Sequence, residues 1–335
     1  MKTVLITGGH AGLGLETASR LAARKVNLVL AGREFGKVSK AAAELRGRYG
    51  VRVSTVELDL AALSSVRAAA KAVRKGIAAG EFGTFDAFLC NAGAQFRGPI
   101  SYSKDGFEET FAINHLGHFL LVNLLLDCVA ESGRVIVTAS GTHDPDTIDG
   151  KMAGPAVEAD AFALANEDKQ GKKPISGGKR YATSKLCNVL FTYELDRRLR
   201  SAHKNIASIA FDPGLIPETG LTRTAPAFAQ WLIRTAFMKW FLKSVGVTMG
   251  SLPFSGKSLA DIAVEPDFSE ASGYYLQSRN GTLLKTQSSE VSYDEKLAAK
   301  LWQDSERLVA LQASERPRTL YEDQRTDHRS CIGAA

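Results

Sequence analysis

Val4-Leu5-Ile6-Thr7-Gly8-Gly9-His10-Ala11-Gly12-Leu13-Gly14 decides the fold of this 335-residue chain. Val4 to Ile6 is a short, wholly apolar run, as expected of a parallel strand buried on both faces. Glycines at 8, 12 and 14 follow, and then Leu15, Ala18, Leu21 and Ala22 recur at helical spacing. Strand, glycine turn and helix in this order put backbone N–H groups and a helix N-terminus against a pyrophosphate. The spacing is G-x-x-x-G-x-G, not the common G-x-G-x-x-G fingerprint. A tight turn before a helix would read the same way, and the position after the first strand favours a nucleotide.

Further strands follow at regular intervals. Asn27 to Ala31 is the second, and Val51 to Leu60 the third, with Asp59 at its carboxyl end. Phe85 to Cys90 is the fourth, running into Asn91-Ala92-Gly93. Arg134 to Ser140 is the fifth and Ile206 to Phe211 the sixth. Helical patterns fill the gaps, so the expected class is α/β, a doubly wound parallel sheet of Rossmann type in a single domain. Ligands then lie outside the carboxyl ends of the strands, where Gly14, Arg33, Asp59, Asn91 and Ser140 all fall. After the second strand, roughly 20 residues past the glycine turn, an NAD site places an acid on the ribose. Residues 30–33 contain none and end in Arg33, whose guanidinium suits a 2′-phosphate, so NADP(H) is the expected cofactor.

Composition limits the alternatives. Hydrophobic residues make up 44% and charged residues 23%, as in an ordinary globular protein. A net charge of +6 is spread along the chain without a basic block interleaved with aromatics, which argues against nucleic acid. Cys90, Cys128, Cys187 and Cys331 show no metal-ligand spacing, and the histidines at 10, 115, 118 and 143 lack partners at such spacing. No metal is expected. Nothing implies disulfides, a signal peptide or a run of eighteen apolar residues, so a cytoplasmic protein is expected.

Tyr181-Ala-Thr-Ser-Lys185 is the candidate for chemistry. Four residues apart on a helix, the phenol and the ammonium share one face. A nearby positive charge favours the phenolate and is expected to bring the tyrosine pKa, about 10 when free, towards the working range. The same spacing also describes an ordinary pair on a solvated helix.

Taken together, Thr7-Gly-x-x-x-Gly12-x-Gly14, Asp59, Asn91-Ala-Gly93, Asn114, Ser140, Tyr181-x-x-x-Lys185 and Pro213-Gly214 closely resemble the short-chain dehydrogenase/reductase family. They follow the family's order over about residues 1–220. Phe111 to Leu121 and Tyr181 to Phe191 look like the branch of retinol dehydrogenases and light-dependent protochlorophyllide reductases. Ala31-Gly-Arg-Glu-Phe-Gly36, Glu218-Thr-Gly-Leu221 and the segment from Glu290 to Leu311 lean towards the latter. One departure stands out. In those reductases a tyrosine and a cysteine, both associated with the pigment site, flank the Pro-Gly; here Asp212 and Leu215 do.

The resemblance implies an NADPH-dependent oxidoreductase acting on a carbonyl or alcohol of a hydrophobic substrate. The alternatives are protochlorophyllide C=C reduction and a non-catalytic NADP(H) sensor or scaffold. By resemblance Tyr181 is the acid/base, Lys185 lowers its pKa and binds the nicotinamide ribose, and Ser140, with Thr142 beside it, hydrogen-bonds the substrate oxygen. Asn114 would hold a relay water; it would serve equally as a structural amide, and Ser140 as a helix cap. The cofactor set is Gly8, His10, Gly12, Leu13, Gly14, Arg33, Asp59, Leu60, Asn91, Ala92, Gly93, Tyr181, Lys185, Pro213, Gly214 and Thr219. Substrate would meet Ser140, Thr142, Tyr181 and Leu215.

The domain is expected to span 1–313, with a substrate lid at about 222–255 and an unstructured tail at 314–335. The lid holds Trp231, Phe237, Met238, Trp240, Phe241 and Leu242 among Arg234, Lys239 and Lys243. A bulky apolar ligand is implied. Peripheral membrane contact through this stretch, and a homo-oligomer, are left open.

Overall fold

The computed structural model describes residues 1–169, 174–218 and 235–321. Its centre is an eight-stranded sheet in the order β3-β2-β1-β4-β5-β6-β7-β8. The strands are β1 (Thr3–Thr7), β2 (Asn27–Gly32), β3 (Val53–Glu57), β4 (Phe85–Cys90), β5 (Val129–Thr138), β6 (Ala207–Asp212), β7 (Tyr275–Arg279) and β8 (Thr282–Thr286). All neighbours are parallel except β7 and β8. The chain reverses its direction of build between β1 and β4, and that switch point opens the ligand crevice.

The expected doubly wound sheet is present, with two differences. β5 begins at Val129, five residues before the apolar run at Arg134, because a bulge between Phe85 and Ala87 lets Val129 pair with Phe85. The sequence also reads Gly273 to Leu276 as a last short strand, which is β7, but not its hairpin partner β8. Its signal is Asn280-Gly281, both at positive φ (54° and 83°), which is what a two-residue hairpin turn requires.

Helices cover both faces. On one, α1 (Gly12–Ala23) and α2 (Phe35–Tyr49) pack with Ile6, Leu28, Leu30 and Leu89. On the other, α3 (Leu63–Ala78), α4 (Gly117–Leu125) and α5 (Gly177–Ser201) pack with Leu5, Phe88 and Val137. Two further helices, α6 (Ala236–Ser244) and α7 (Leu252–Val264), follow β6, and α8 (Glu295–Leu308) follows β8. Phe119, Phe191 and Trp302 lock α4, α5 and α8 together, with ring centroids 5.0–5.7 Å apart. The stretch 109–128 is long and apolar enough to cross a membrane, but 89% of its apolar window is buried within this fold. It is a core element.

Residues 314–321 correct an expectation of disorder. Glu315 pairs with Arg67 at 2.6 Å, Thr319 donates to Asp127, and short helical turns span Ala313–Glu315 and Arg318–Tyr321. These polar links are long-range, so composition alone could not show them. The remaining tail, 322–335, lies outside the described residues, as do residues 219–234, which include the first part of the expected lid. In α6, Met238 and Leu242 pack on Leu215, Val247 and Met249, while Phe237, Trp240 and Phe241 are exposed.

Candidate active site

The site begins where β1 ends. Gly8 has φ +67°, and a Cβ on Gly14 would come within 2.4 Å of the Gly8 carbonyl. Gly14 therefore lets α1 close onto the turn. The α1 N-cap, Ala11, has no side chain to cap the first turn, so its N–H groups face the crevice uncapped. This cradle fits a pyrophosphate. His10 packs over Gly32, whose Cβ would lie 2.8 Å from His10 Nδ1. Arg33 follows, exposed beside Glu34, which pairs with Lys37 at 2.5 Å.

Asn91 closes the other side of the crevice. Its Nδ2 donates to the Thr7 carbonyl at 2.9 Å, and the Asn91 and Ala92 N–H groups donate to Thr7 Oγ1 at 2.9 and 3.0 Å. Thr7 Oγ1 also lies 3.0 Å from His118 Nε2. His118 Nδ1 faces the Asn114 carbonyl at 3.3 Å, and a carbonyl only accepts. The proton is thus on Nδ1, leaving Nε2 to accept from Thr7. Burial holds this imidazole neutral, its pKa lowered to about 4.

Asn114 sits in a π-helical turn, Ala112–Leu116, that widens the helix entering α4. Its Oδ1 accepts from Ala94 N at 2.8 Å, and Nδ2 donates to Ala94 O and Ser184 Oγ, both at 2.9 Å. With both amide hydrogens committed, its side chain braces the end of β4 against α5. That is the structural-amide role, one of the two expected of it.

Tyr181 and Lys185 lie on α5, capped by Ser176 Oγ accepting from Lys179 N. Neither is on a solvated face; Tyr181 is 6% and Lys185 3% exposed. Lys185 Nζ donates to the Thr138 carbonyl at 2.8 Å and stands 5.7 Å from the Tyr181 ring centre. Burial lowers the Lys185 pKa to about 8, while Asp212 opposes the shift. The tyrosine departs from expectation. Burial first, and then the Asp212 charge, push its phenol up, and only a hydrogen bond with Ser140 pulls it down. Desolvation of the phenolate dominates, and the Lys185 nitrogen is directed to Thr138.

Ser140 follows β5 in extended conformation and caps the turn Gly141–His143, accepting from Thr142 N at 3.4 Å and Thr142 Oγ1 at 3.1 Å. His143 Nδ1 donates to the Ser140 carbonyl at 2.7 Å, and its Nε2 accepts from Ser289 N at 3.0 Å. Ser140 is held from both sides.

Asp212, at the end of β6, is 1% exposed. Its Oδ1 accepts from Gly214 N at 2.9 Å, and its Oδ2 from Tyr275 Oη at 3.0 Å and Gln277 Nε2 at 2.9 Å. Asp149 stands across Gly141, where a Cβ would meet Asp149 Oδ2 at 2.8 Å and Asp212 Oδ2 at 3.3 Å. Leu215 bridges to Met249 and lies under α6.

Most predicted residues thus meet at one sheet edge. The exceptions are instructive. Leu60 is buried in the core against Gly117, and Leu13, in the first turn of α1, is buried in the core on the other face of the sheet. Asp59 accepts from Ala61 N and pairs with exposed Lys104 at 3.3 Å. Pro213 O accepts from Ser255 Oγ, and Gly214, at φ +70°, approaches Gly250 and Ser278 too closely for a Cβ. Thr219 lies outside the described residues. His118 and His143, which the sequence marks only as lacking metal-ligand spacing, wire the glycine turn and Ser140 into the core. Only their contacts reveal this.

The chain is similar to proteins of known family. Residues 2–147 match the family model described as short chain dehydrogenase. A chloroplastic protochlorophyllide reductase of Daucus carota is 34% identical over 325 residues, covering 92% of this chain and 78% of that protein. The protochlorophyllide reductase of Avena sativa is 34% identical, covering 92% and 99%. Among solved structures, an uncharacterized protein from Mycobacterium Paratuberculosis superposes with TM-score 0.68 at 28% identity, over 92% of this chain and 94% of that one. A short chain dehydrogenase from Burkholderia cenocepacia J2315, in complex with NADP, has TM-score 0.61 at 20% identity, covering 84% and 97%; it bears on the fold alone.

Proposed function

The chain belongs to the short-chain dehydrogenase/reductase family, and from that premise we propose an NADPH-dependent oxidoreductase that interconverts a carbonyl and an alcohol on a hydrophobic substrate. One observation carries this reading: buried Tyr181 and Lys185 converge with half-buried Ser140 at the carboxyl edge of β5 beside the glycine cradle.

The cradle of Gly8, Gly12 and Gly14, the strand ends at Asn91–Gly93 and the Pro213–Gly214 turn fit a dinucleotide, with Arg33 beside the 2′-phosphate. Bound there, the nicotinamide supplies a hydride to the substrate carbon. Tyr181 donates its proton to the oxygen that becomes an alkoxide. It is protonated at neutral pH, the form that reduction requires. Ser140 Oγ, oriented by Thr142 and His143, hydrogen-bonds the same oxygen where charge grows. Lys185, anchored on Thr138, supplies positive charge behind the phenol as it loses its proton.

Leu215, Met238, Leu242 and Met249 supply an apolar wall for the substrate. The test is Tyr181→Phe, assayed by NADPH consumption across ketones, enals and tetrapyrroles. Turnover of any substrate found should be lost, with NADPH affinity retained within a few fold. Unchanged turnover would remove the catalytic assignment.

A second reading is favoured by the relatives: C=C reduction of protochlorophyllide, the activity in their names. Asp212 and Leu215 argue against it, since an anion replaces one flanking residue of the pigment site. A difference spectrum after illuminating the protein with NADPH and protochlorophyllide separates the two. Absence of photoproduct removes this reading.

A further inference from the structure

Asp212 is a fully buried carboxylate, and the steps above do not use it. Among the described residues its oxygens meet three neutral donors, Tyr275 Oη, Gln277 Nε2 and Gly214 N, and no direct ion-pair partner. A buried charge without a counter-charge is costly, so the fold must balance it nearby. Lys185 is placed to do so. Its Nζ is bound to the carbonyl of Thr138, which is in register with Phe211 on the adjacent strand. Asp212 is the next residue, so its Cα lies on the order of 6 Å from that of Thr138 by strand geometry.

Other groups face Asp212 as well. Tyr181 and Lys185 come from α5, His143 from the turn after β5, Asp149 from the helix Ile148–Ala153, and Tyr275 and Gln277 from β7. Asp149 is itself pushed towards the neutral acid by burial. His143 is neutral, with both ring nitrogens committed to hydrogen bonds. Lys185 is the cation of this group.

We propose that Asp212 is a positioning residue of the active site, the fixed counter-charge that keeps the Lys185 ammonium protonated from the neighbouring strand end. Its three donors prevent it from turning into the site to take a proton itself. The inference rests on reading Tyr181 and Lys185 as the acid–base pair. Its effect is to hold positive charge behind Tyr181 while opposing a resting phenolate, which biases the pair towards proton donation.

The test titrates the lysine directly. Protein carrying 13Cε-lysine is followed by NMR across pH, the Lys185 resonance being the one missing from Lys185→Arg. Asp212→Asn should lower the Lys185 midpoint by about one pH unit or more, a tenfold change in its protonation ratio. Asp212→Tyr, which places at this position the residue of the protochlorophyllide reductases, is a second charge-removing variant and should do the same. Tyr275→Phe removes one donor and keeps the charge, so its midpoint should stay near that of the native chain. Unmoved midpoints in the Asp212 variants would overturn the proposal. So would an equal shift in Tyr275→Phe, because lost hydrogen bonding would then explain the effect. The resonance reports Lys185 whether or not Tyr181 transfers a proton, and turnover of Tyr181→Phe reports the reverse, so the two readings fail separately.

Discussion

Arg33 shows how a single residue sets a preference. It stands exposed at the end of β2, with no acid in the four positions that end with it. A guanidinium there gains charge-assisted hydrogen bonds only from a ligand with a 2′-phosphate, each worth about 1.5–3 kcal/mol. Arg33→Ala should therefore weaken NADPH binding by about tenfold or more while NADH binding barely changes, read by nucleotide fluorescence titration. Equal losses would show that Arg33 does not read the phosphate. The residue type and its distance from the glycine turn are visible in sequence. The protonation of Tyr181 is not. Spacing placed a cation near the phenol, but the pKa follows desolvation and the Asp212 charge, and both depend on what three other elements pack around it.

At the scale of elements, α5 is positioned as much by its first turn as by its apolar faces. Arg180, 4% exposed, pairs through Nε with Glu108 Oε1 at 3.0 Å and donates to Ile175, Phe96 and Gly98 carbonyls. Glu108 in turn accepts from Thr110 Oγ1 and Phe111 N at the start of the helix that carries Asn114. This knot ties Tyr181's helix to Asn114's. Removing one partner leaves the other charge buried alone, so Glu108→Ala should cost about 3–5 kcal/mol of stability, measured by urea unfolding. A change below about 1 kcal/mol would mean that Arg180 finds water. Elements with strong periodicity or an apolar run, such as β1, β4 and α5, are legible in the chain. The strand at Gly273 to Leu276 is legible as β7, whereas β8 is signalled only by the Asn280-Gly281 turn, because it is half exposed and its apolar pattern is weak.

The whole molecule carries a titratable core. Burial lowers the pKa of His118 to about 4 and of His115 to about 3, against an ordinary 6.5. Folded imidazoles therefore refuse protons that the unfolded chain accepts once the pH falls below 6.5. Their contribution to stability is complete above that value and is lost as the pH drops towards 4. Unfolding free energy at pH 4.5 should be lower than at pH 7 by about 2 kcal/mol for each of the two rings, and His118→Asn should remove one share of the difference. A flat profile would show that the rings open to solvent before global unfolding. By itself the sequence determined the doubly wound sheet, the glycine cradle, the family and the residues Tyr181, Lys185 and Ser140. Those follow from local rules, the periods of strand and helix and the few residue types that a turn tolerates. Only the tertiary structure decided that Asn114 is a brace, that His118 and His143 support the site, and that Asp212 faces Lys185 across a strand boundary. These pairings join residues far apart in the chain, and their consequences are electrostatic, so they exist only once the interior has excluded water.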